Sequence, residues 1–413
     1  MALVLVLLDA FRSDYVNAED TPFLWSCAQE GEYYKRVQPG YGFCERTEIL
    51  TGLSPIESGN VLAIGHDPAN SPFRHARGLR QLAAAERTLS ALSAVFGSFF
   101  RERVIAWFRW RLDCKLRTSG SRMSTYRIPI HLLPKWRLTE DQRDHREAGA
   151  FSVPSLLDRL TACGRRYSYD GFTALGMEPN GSDHDRLLLG SRSAVNPDID
   201  FVLLYQSRAD AMGHAHGPRS TELKAIAAEM DQDLERFTHG VLRDRPETTF
   251  VFLGDHGMLD VIARFDVFSK VKTLAKECRI AIHADMLVFL DSTIARFWFN
   301  ADRGHSRLQE RLLSSPDMLR HGSFKSTHSS CTDAPNANRL YGDLLWRADP
   351  GVLVFPDFFH SILPCRGMHG YDPLHPDSHG MCIVHGSAAV HKQAEHILLT
   401  EVHGILERTL ELS

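Results

Sequence analysis

No apolar run in this sequence is long enough to cross a bilayer without charge. The longest early one, in Met1 to Tyr15 (MALVLVLLDAFRSDY), has no basic residue before it and stops at Asp9, so it lacks the form of a cleaved leader. A buried first strand is the expectation, and with no uncharged run of spanning length a cytoplasmic location is the default expectation. Paired cysteines are missing too. Cys27, Cys44, Cys114, Cys163, Cys278, Cys331, Cys365 and Cys382 are scattered with no CxxC spacing, which argues against a disulfide framework and for reduced thiols. There is no internal repeat and no low-complexity tract. The net charge of -4 excludes a globally basic nucleic-acid binder, and no specific nucleic acid partner is expected.

What the chain has is length and alternation. Its 413 residues, 43% hydrophobic, suffice for a large core. Short apolar runs end at polar residues: Leu3 to Leu8 at Asp9, Phe201 to Tyr205 ahead of Asp210, and Thr249 to Leu253 at Gly254-Asp255-His256. Met286 to Leu290 and Val352 to Phe355 are further β-rich runs. Helical patterns such as Val153 to Cys163 and Thr221 to Leu242 lie between. This alternation predicts an α/β fold with a doubly wound, mainly parallel central sheet and helices on both faces. Ligands in such sheets bind beyond the carboxyl ends of strands. The acids that end these runs are therefore expected to share one site.

Residues 74–137 stand apart. They hold fourteen Lys/Arg against three Asp/Glu, a local balance of +11. Within them, Ala91 to Leu116 interleaves Phe96, Phe99, Phe100, Trp107, Phe108 and Trp110 with arginines. We expect a basic, aromatic-rich helical insertion or cap, with 1–73 and 138–413 forming the catalytic core. The insertion would cap the site, lie on an anionic membrane surface or bind an anionic substrate. In the plainer reading its aromatics pack on the core and its arginines are solvated.

The chemistry-bearing clusters are Asp9, Asp210-Ala-Met-Gly-His214-Ala-His216-Gly-Pro218 and Asp255-His256-Gly257. A late cluster, Arg366-Gly-Met-His369-Gly-Tyr-Asp372, adds a histidine in a glycine-rich turn. Carboxylate oxygens with imidazole nitrogens suit zinc or a similar divalent ion. Asp210 and His214, four apart, can aim at one ion from a helical turn.

Taken in order, these motifs resemble the nucleotide pyrophosphatase/phosphodiesterase branch of the alkaline phosphatase superfamily. Asp9-Ala-Phe-Arg-Ser-Asp-Tyr15 resembles its opening Asp-Gly-Phe-Arg-x-Asp-Tyr, and Thr21-Pro-Phe-Leu24 its Thr-Pro-Asn-Leu. Thr51-Gly-Leu-Ser-Pro-Ile-Glu-Ser-Gly59 is similar to the end of its nucleophile helix. The clusters at Asp210, Asp255 and His369 match its metal motifs. The resemblance implies two divalent ions, zinc preferred over manganese or magnesium. Asp9, Asp255 and His256 would hold one, and Asp210, His214 and His369 the other. It gives His216 no such role and leaves it as a supporting or substrate residue.

The implied activity is hydrolysis of a phosphodiester or pyrophosphate bond in a small, nucleotide-like or nucleotide-sugar-like substrate. A phosphomonoesterase or phosphomutase is the alternative, and a catalytically inactive, anion-binding member the alternative of another class. The family's nucleophile spacing, counted back from Thr51, lands on Gly42, which has no side chain. Cys44 is then the preferred nucleophile, as a thiol easily deprotonated at a helix start beside a metal, with Thr47 second. Attack by metal-held hydroxide replaces both if Cys44 merely packs the helix start. Arg46 is expected to orient an anionic substrate oxygen. A sulfatase is disfavoured, because Cys44-Glu-Arg-Thr-Glu48 lacks that group's Cys-x-Pro-x-Arg.

Overall fold

The computed structural model describes residues 2–117, 122–171, 182–299, 305–325 and 340–412. Cys331 lies outside them, and the other seven cysteines are free thiols. No helix among the described residues is long and apolar enough to cross a membrane.

Among the described residues, seven strands make the central sheet: β1 (Leu3–Leu8), β2 (Glu32–Gln38), β3 (Tyr167–Tyr169), β4 (Phe201–Gln206), β5 (Thr249–Gly254), β6 (Gly380–Gly386) and β7 (Lys392–Leu398). Their order is β7-β2-β6-β5-β1-β4-β3. All neighbours run parallel except β6, which is antiparallel to both β5 and β2. The mainly parallel, doubly wound arrangement follows from burial on both faces. Along β1, Leu3, Leu5 and Leu7 pack with Leu156, Leu160, Val402 and Leu406 on one side. Val4, Val6 and Leu8 pack with Leu24, Leu223, Met230 and Leu234 on the other. A strand with both faces covered needs the continuous apolar run that the sequence shows.

Seven helices matter below: α1 (Pro22–Glu30), α2 (Glu45–Thr51), α3 (Leu79–Ala94), α4 (Ser98–Arg117), α5 (Arg208–His216), α6 (Thr221–Asp244) and α7 (Leu399–Thr409). α1 and α6 cover one face of the sheet, and α2 and α7 the other.

Met286–Leu290 is not part of the central sheet. It belongs to a second, four-stranded antiparallel sheet with Ile294–Phe299, Leu344–Ala348 and Gly322–Lys325. Val352–Val354 pairs instead with Ala263–Phe265. A short apolar run records burial on both faces but not which sheet supplies it, so alternation alone could not separate the two.

Residues 74–137 are not insulated from the rest. Trp136–Leu138 pairs antiparallel with Ile64–His66, across the boundary expected at residue 137. Leu112, Ile128, Leu133 and Trp136 share one apolar cluster with Val288, Phe289 and Trp346 of the second sheet.

Candidate metal centre

Strand register brings the site together. Leu8 stands opposite Gln206 of β4 and Gly254 of β5. The residues just past those three ends therefore emerge side by side: Asp9, Ser207 leading into α5, and Asp255-His256. α5 places Asp210 in its first turn and His214 in its last, four residues apart on one face. His369 arrives from the turn after Gly367–Met368, whose backbone pairs with Leu259–Asp260 just beyond β5.

The six side chains form two triads. In each, one oxygen or nitrogen from every member lies within 4.8 Å of the others: Asp9, Asp255 and His256 in one, Asp210, His214 and His369 in the second. His256 Nε2 is 3.2 Å from Asp9 Oδ1 and 3.8 Å from Asp255 Oδ1. Asp210 Oδ1 is 3.1 Å from His214 Nε2 and 3.4 Å from His369 Nε2. The His256 and His369 rings stack at 4.2 Å and join the triads into one centre.

These distances fit a bound cation. Bonds of about 2.0–2.2 Å in a tetrahedral zinc site put its ligands roughly 3.3–3.6 Å apart. Asp210 Oδ1 is buried without a hydrogen-bond partner even though two imidazole nitrogens face it. The backs of the rings are already occupied. His214 Nδ1 lies 2.9 Å from the Gly367 carbonyl and His256 Nδ1 3.0 Å from that of Gly257, which leaves each Nε2 for the centre. Asp255 Oδ1 accepts from the amides of Ala10 and His256, and the Tyr205 hydroxyl donates to Asp9.

Electrostatics point the same way. Burial, then Asp210 and Asp255, push Asp9 up to about 7. Burial also raises Asp255. Against burial, which would raise it, His214 and then His369 hold Asp210 below the usual carboxylate range. Burial would lower His214 and His256, but Asp210 and Asp255 respectively lift them well above the ordinary imidazole value. His369 goes the opposite way, driven down by burial and by His256. Imidazoles this close to carboxylates share either a proton or a cation.

The triads open into a cavity of about 290 Å³. Among the described residues, seven carboxylates line it: Asp9, Glu45, Glu140, Asp141, Asp210, Asp255 and Asp291. Its guanidinium is that of Arg46, buried 5.0 Å from the Tyr205 ring centroid. Phe43, Tyr126 and Phe359 supply flat apolar walls, and His360 lies beyond His214 with ring centroids 6.4 Å apart. An anionic ligand could enter such a cavity only with cations to offset the acids.

The expected nucleophiles lie elsewhere. Cys44 caps α2 with its thiol buried against Thr139, Sγ to Oγ1 3.8 Å, outside the cavity lining. Burial, then Glu140 and Glu45, push that thiol well up, the reverse of the easy deprotonation expected of it. Thr47 is buried too. Its amide donates to Glu140 and its hydroxyl accepts from Asn60 at 3.1 Å. Gly42, where the family spacing fell, has φ +100°, and a Cβ there would meet the Val61 carbonyl oxygen at 1.9 Å. No side chain fits.

Beside Arg46, α2 presents Glu45, at its first position, to the centre. Burial pushes its carboxyl well up, with His256 acting the other way. The sequence shows Glu45 beside Cys44, but adjacency cannot say which of two neighbours turns inward. Tyr205, Asp291 and His360 were missed as well. Tyr205, at the end of an apolar strand, and Asp291, directly after the run Met286 to Leu290, carried positional signals; His360 carried none. His216 faces away and pairs with Glu222 at 3.3 Å, and Asp372 pairs with Arg347.

A sheet of this topology, with paired acid–imidazole triads at its carboxyl edge, defines the alkaline phosphatase-like α/β class. The sequence profile of the type I phosphodiesterase / nucleotide pyrophosphatase family matches residues 3–372. The chain belongs to that family, whose members depend on metal. A curated relative, bis(5'-adenosyl)-triphosphatase ENPP4 from Bos taurus, is 24% identical over 264 residues. That match covers 62% of this chain and 47% of the relative, so the chain spans about half the length of the relative. Among solved structures, an inactive form of murine ectonucleotide pyrophosphatase / phosphodiesterase 5 in complex with AMP superposes with a TM-score of 0.68 at 15% identity. The human protein of the same name gives 0.67 at 15% identity. Each superposition covers 100% of this chain and 96% of the other, and at that identity it shows the fold.

Proposed function

We propose that the chain is a metal-dependent hydrolase of phosphodiester or pyrophosphate bonds in nucleotide-like substrates. The observation that carries this reading is the meeting of the two triads in one acid-lined cavity. Asp9, Asp255 and His256 would hold one cation, and Asp210, His214 and His369 the other, with zinc the best match to the donor set. When bound, two such ions stabilise the attacking and leaving oxygens of an in-line displacement.

The chain's own groups do the rest. Glu45 faces the strand-end triad and accepts the proton of the attacking water. The new P–O bond forms as the ester P–O bond breaks, and the leaving oxygen departs opposite the water. Direct attack by water replaces the covalent thiol or hydroxyl route, because neither Cys44 nor Thr47 reaches the cavity. Arg46, held over Tyr205, steadies a non-bridging phosphoryl oxygen. Phe43, Tyr126 and Phe359 offer stacking faces for a base, which makes nucleotide-like diesters the preferred substrates. The AMP bound by the murine relative accords with that preference.

The test is turnover of bis(p-nitrophenyl) phosphate and of p-nitrophenyl thymidine 5'-phosphate, before and after chelation and after zinc is returned. Metal-dependent release of nitrophenol is the expected result, faster with the nucleotide diester. Zinc uptake with no turnover of either ester would make the protein an anion-binding member instead. Faster turnover of p-nitrophenyl phosphate would make it a monoesterase.

A further inference from the structure

The helical hairpin of α3 and α4 buries one side and bares the other. Inward, Ile105 and Leu112 are buried, and Phe108 and Leu116 pack on the core. At the turn around Gly97 the pattern inverts. Leu92, Val95, Phe96, Phe99 and Phe100 are all exposed, Val95 at 79% and Phe96 at 72%. They surround the tip on both helices and are not confined to one stripe. Farther down α4, Trp107 and Trp110 are exposed as well.

The charges around these rings are sorted. All three acids of the hairpin are engaged within the protein. Glu86 accepts from Arg109 at 2.9 Å, Glu102 pairs with Arg127, and Asp113 accepts from Ser124 at 2.7 Å and the Thr125 amide at 2.8 Å. The outward cations include Arg80, Arg87, Arg103 and Arg111. Arg103 lies 5.9 Å from the Phe99 ring centroid and Arg111 6.0 Å from that of Trp110, so charge and aromatic surface are presented together.

We propose that this hairpin docks on the surface of an anionic lipid bilayer, its tip wedged among the headgroups and acyl boundary. A protein groove takes one stripe of a helix, whereas a tip exposed on all sides needs an apolar medium all round. Tryptophan rings and arginine heads with apolar stems suit the headgroup level. Cations without exposed acids select an anionic surface. The charges along α4 exclude a span, so attachment is to one leaflet. The proposal does not depend on the hydrolase reading.

The experiment is flotation of the full chain with vesicles of phosphatidylcholine alone and of phosphatidylcholine mixed with phosphatidylserine. The chain should float with the mixed vesicles only, and less as salt rises. Arg103→Gln with Arg111→Gln should weaken binding about 30-fold, the product of two lost surface cations. Phe96→Ser with Phe100→Ser should abolish binding while leaving the melting temperature and diester turnover unchanged, since both rings are solvent-exposed. The proposal falls if the unaltered chain stays with the soluble fraction, or if the variants bind as well as it does. It also falls if sedimentation equilibrium without vesicles shows dimers that the Phe96→Ser, Phe100→Ser variant loses, because the tip would then be a contact between two copies.

Discussion

The two triads are built of the same chemistry on different supports. Asp9, Asp255 and His256 stand on the ends of two paired central strands and are buried. Asp210, His214 and His369 stand on one short helix and one turn and are half-buried. Strand ends in the middle of a parallel sheet are fixed by hydrogen bonds on both sides, whereas a helix end and a turn can shift more cheaply. On the proposed reading, the strand-end triad would hold the less readily exchanged cation and lie on the side of the attacking water. On the same reading, the helix-and-turn triad would serve the leaving group, where release demands some give.

The largest effects should come from emptying either triad. Asp255→Ala and Asp210→Ala should each lower turnover by at least about 10³-fold, the upper scale for losing a single stabilising group. They should differ in metal content. Asp255→Ala should leave the protein with at most one zinc that exchanges freely, and Asp210→Ala with one that resists chelation. Elemental analysis during dialysis against a chelator checks this, and equal exchange rates in the two variants would erase the distinction between supports.

Glu45 tests the side of the centre from which attack comes. Glu45→Gln keeps the shape and removes the proton acceptor, and turnover should fall about 10²–10³-fold. Cys44→Ala should keep turnover within about threefold, with only a core-packing cost in stability. If Cys44→Ala is dead and Glu45→Gln active, attack does not come from the strand-end side in the way described.

Much of this centre was legible in the sequence, and the reason is local. A strand that ends in an acid announces its own carboxyl end, as at Asp9 and Asp255, and Asp210 with His214 announces one helical face. Register then does what no motif has to spell out, because parallel pairing from Leu3 onward places those ends together. Glu45 was not legible because its direction depends on a long-range contact. Gly42 lies against the Val61 carbonyl, and that approach sets how α2 begins and sends Cys44 inward toward Thr139. The second sheet was hidden because Met286 to Leu290 reads the same in either sheet. In the hairpin, composition counted aromatics but could not sort Phe108, which packs on the core, from Phe96 and Phe100, which do not.

A smaller effect should separate the triads by the groups behind them. Asp9 receives the Tyr205 hydroxyl, while His214 leans on the backbone carbonyl of Gly367, which no substitution of that residue removes. Tyr205→Phe should therefore weaken the strand-end cation by about tenfold, at the low end for such supporting partners. Titration with a fluorescent zinc chelator reads that affinity. An unchanged value would mean that Asp9 is held by strand geometry alone.

The smallest effect belongs to His216, two residues from His214 on the same helix. Their spacing turns the rings about 200° apart, so only one of them can face the centre. His216 instead meets Glu222 at the surface, where such a contact contributes little. His216→Ala should change turnover by less than about twofold and stability by less than about 0.5 kcal/mol. Zinc content and diester kinetics measured beside His214→Ala give the contrast. If the two variants behave alike, the helix does not present a single face to the centre, and the softer support is looser than its hydrogen bond to Gly367 implies.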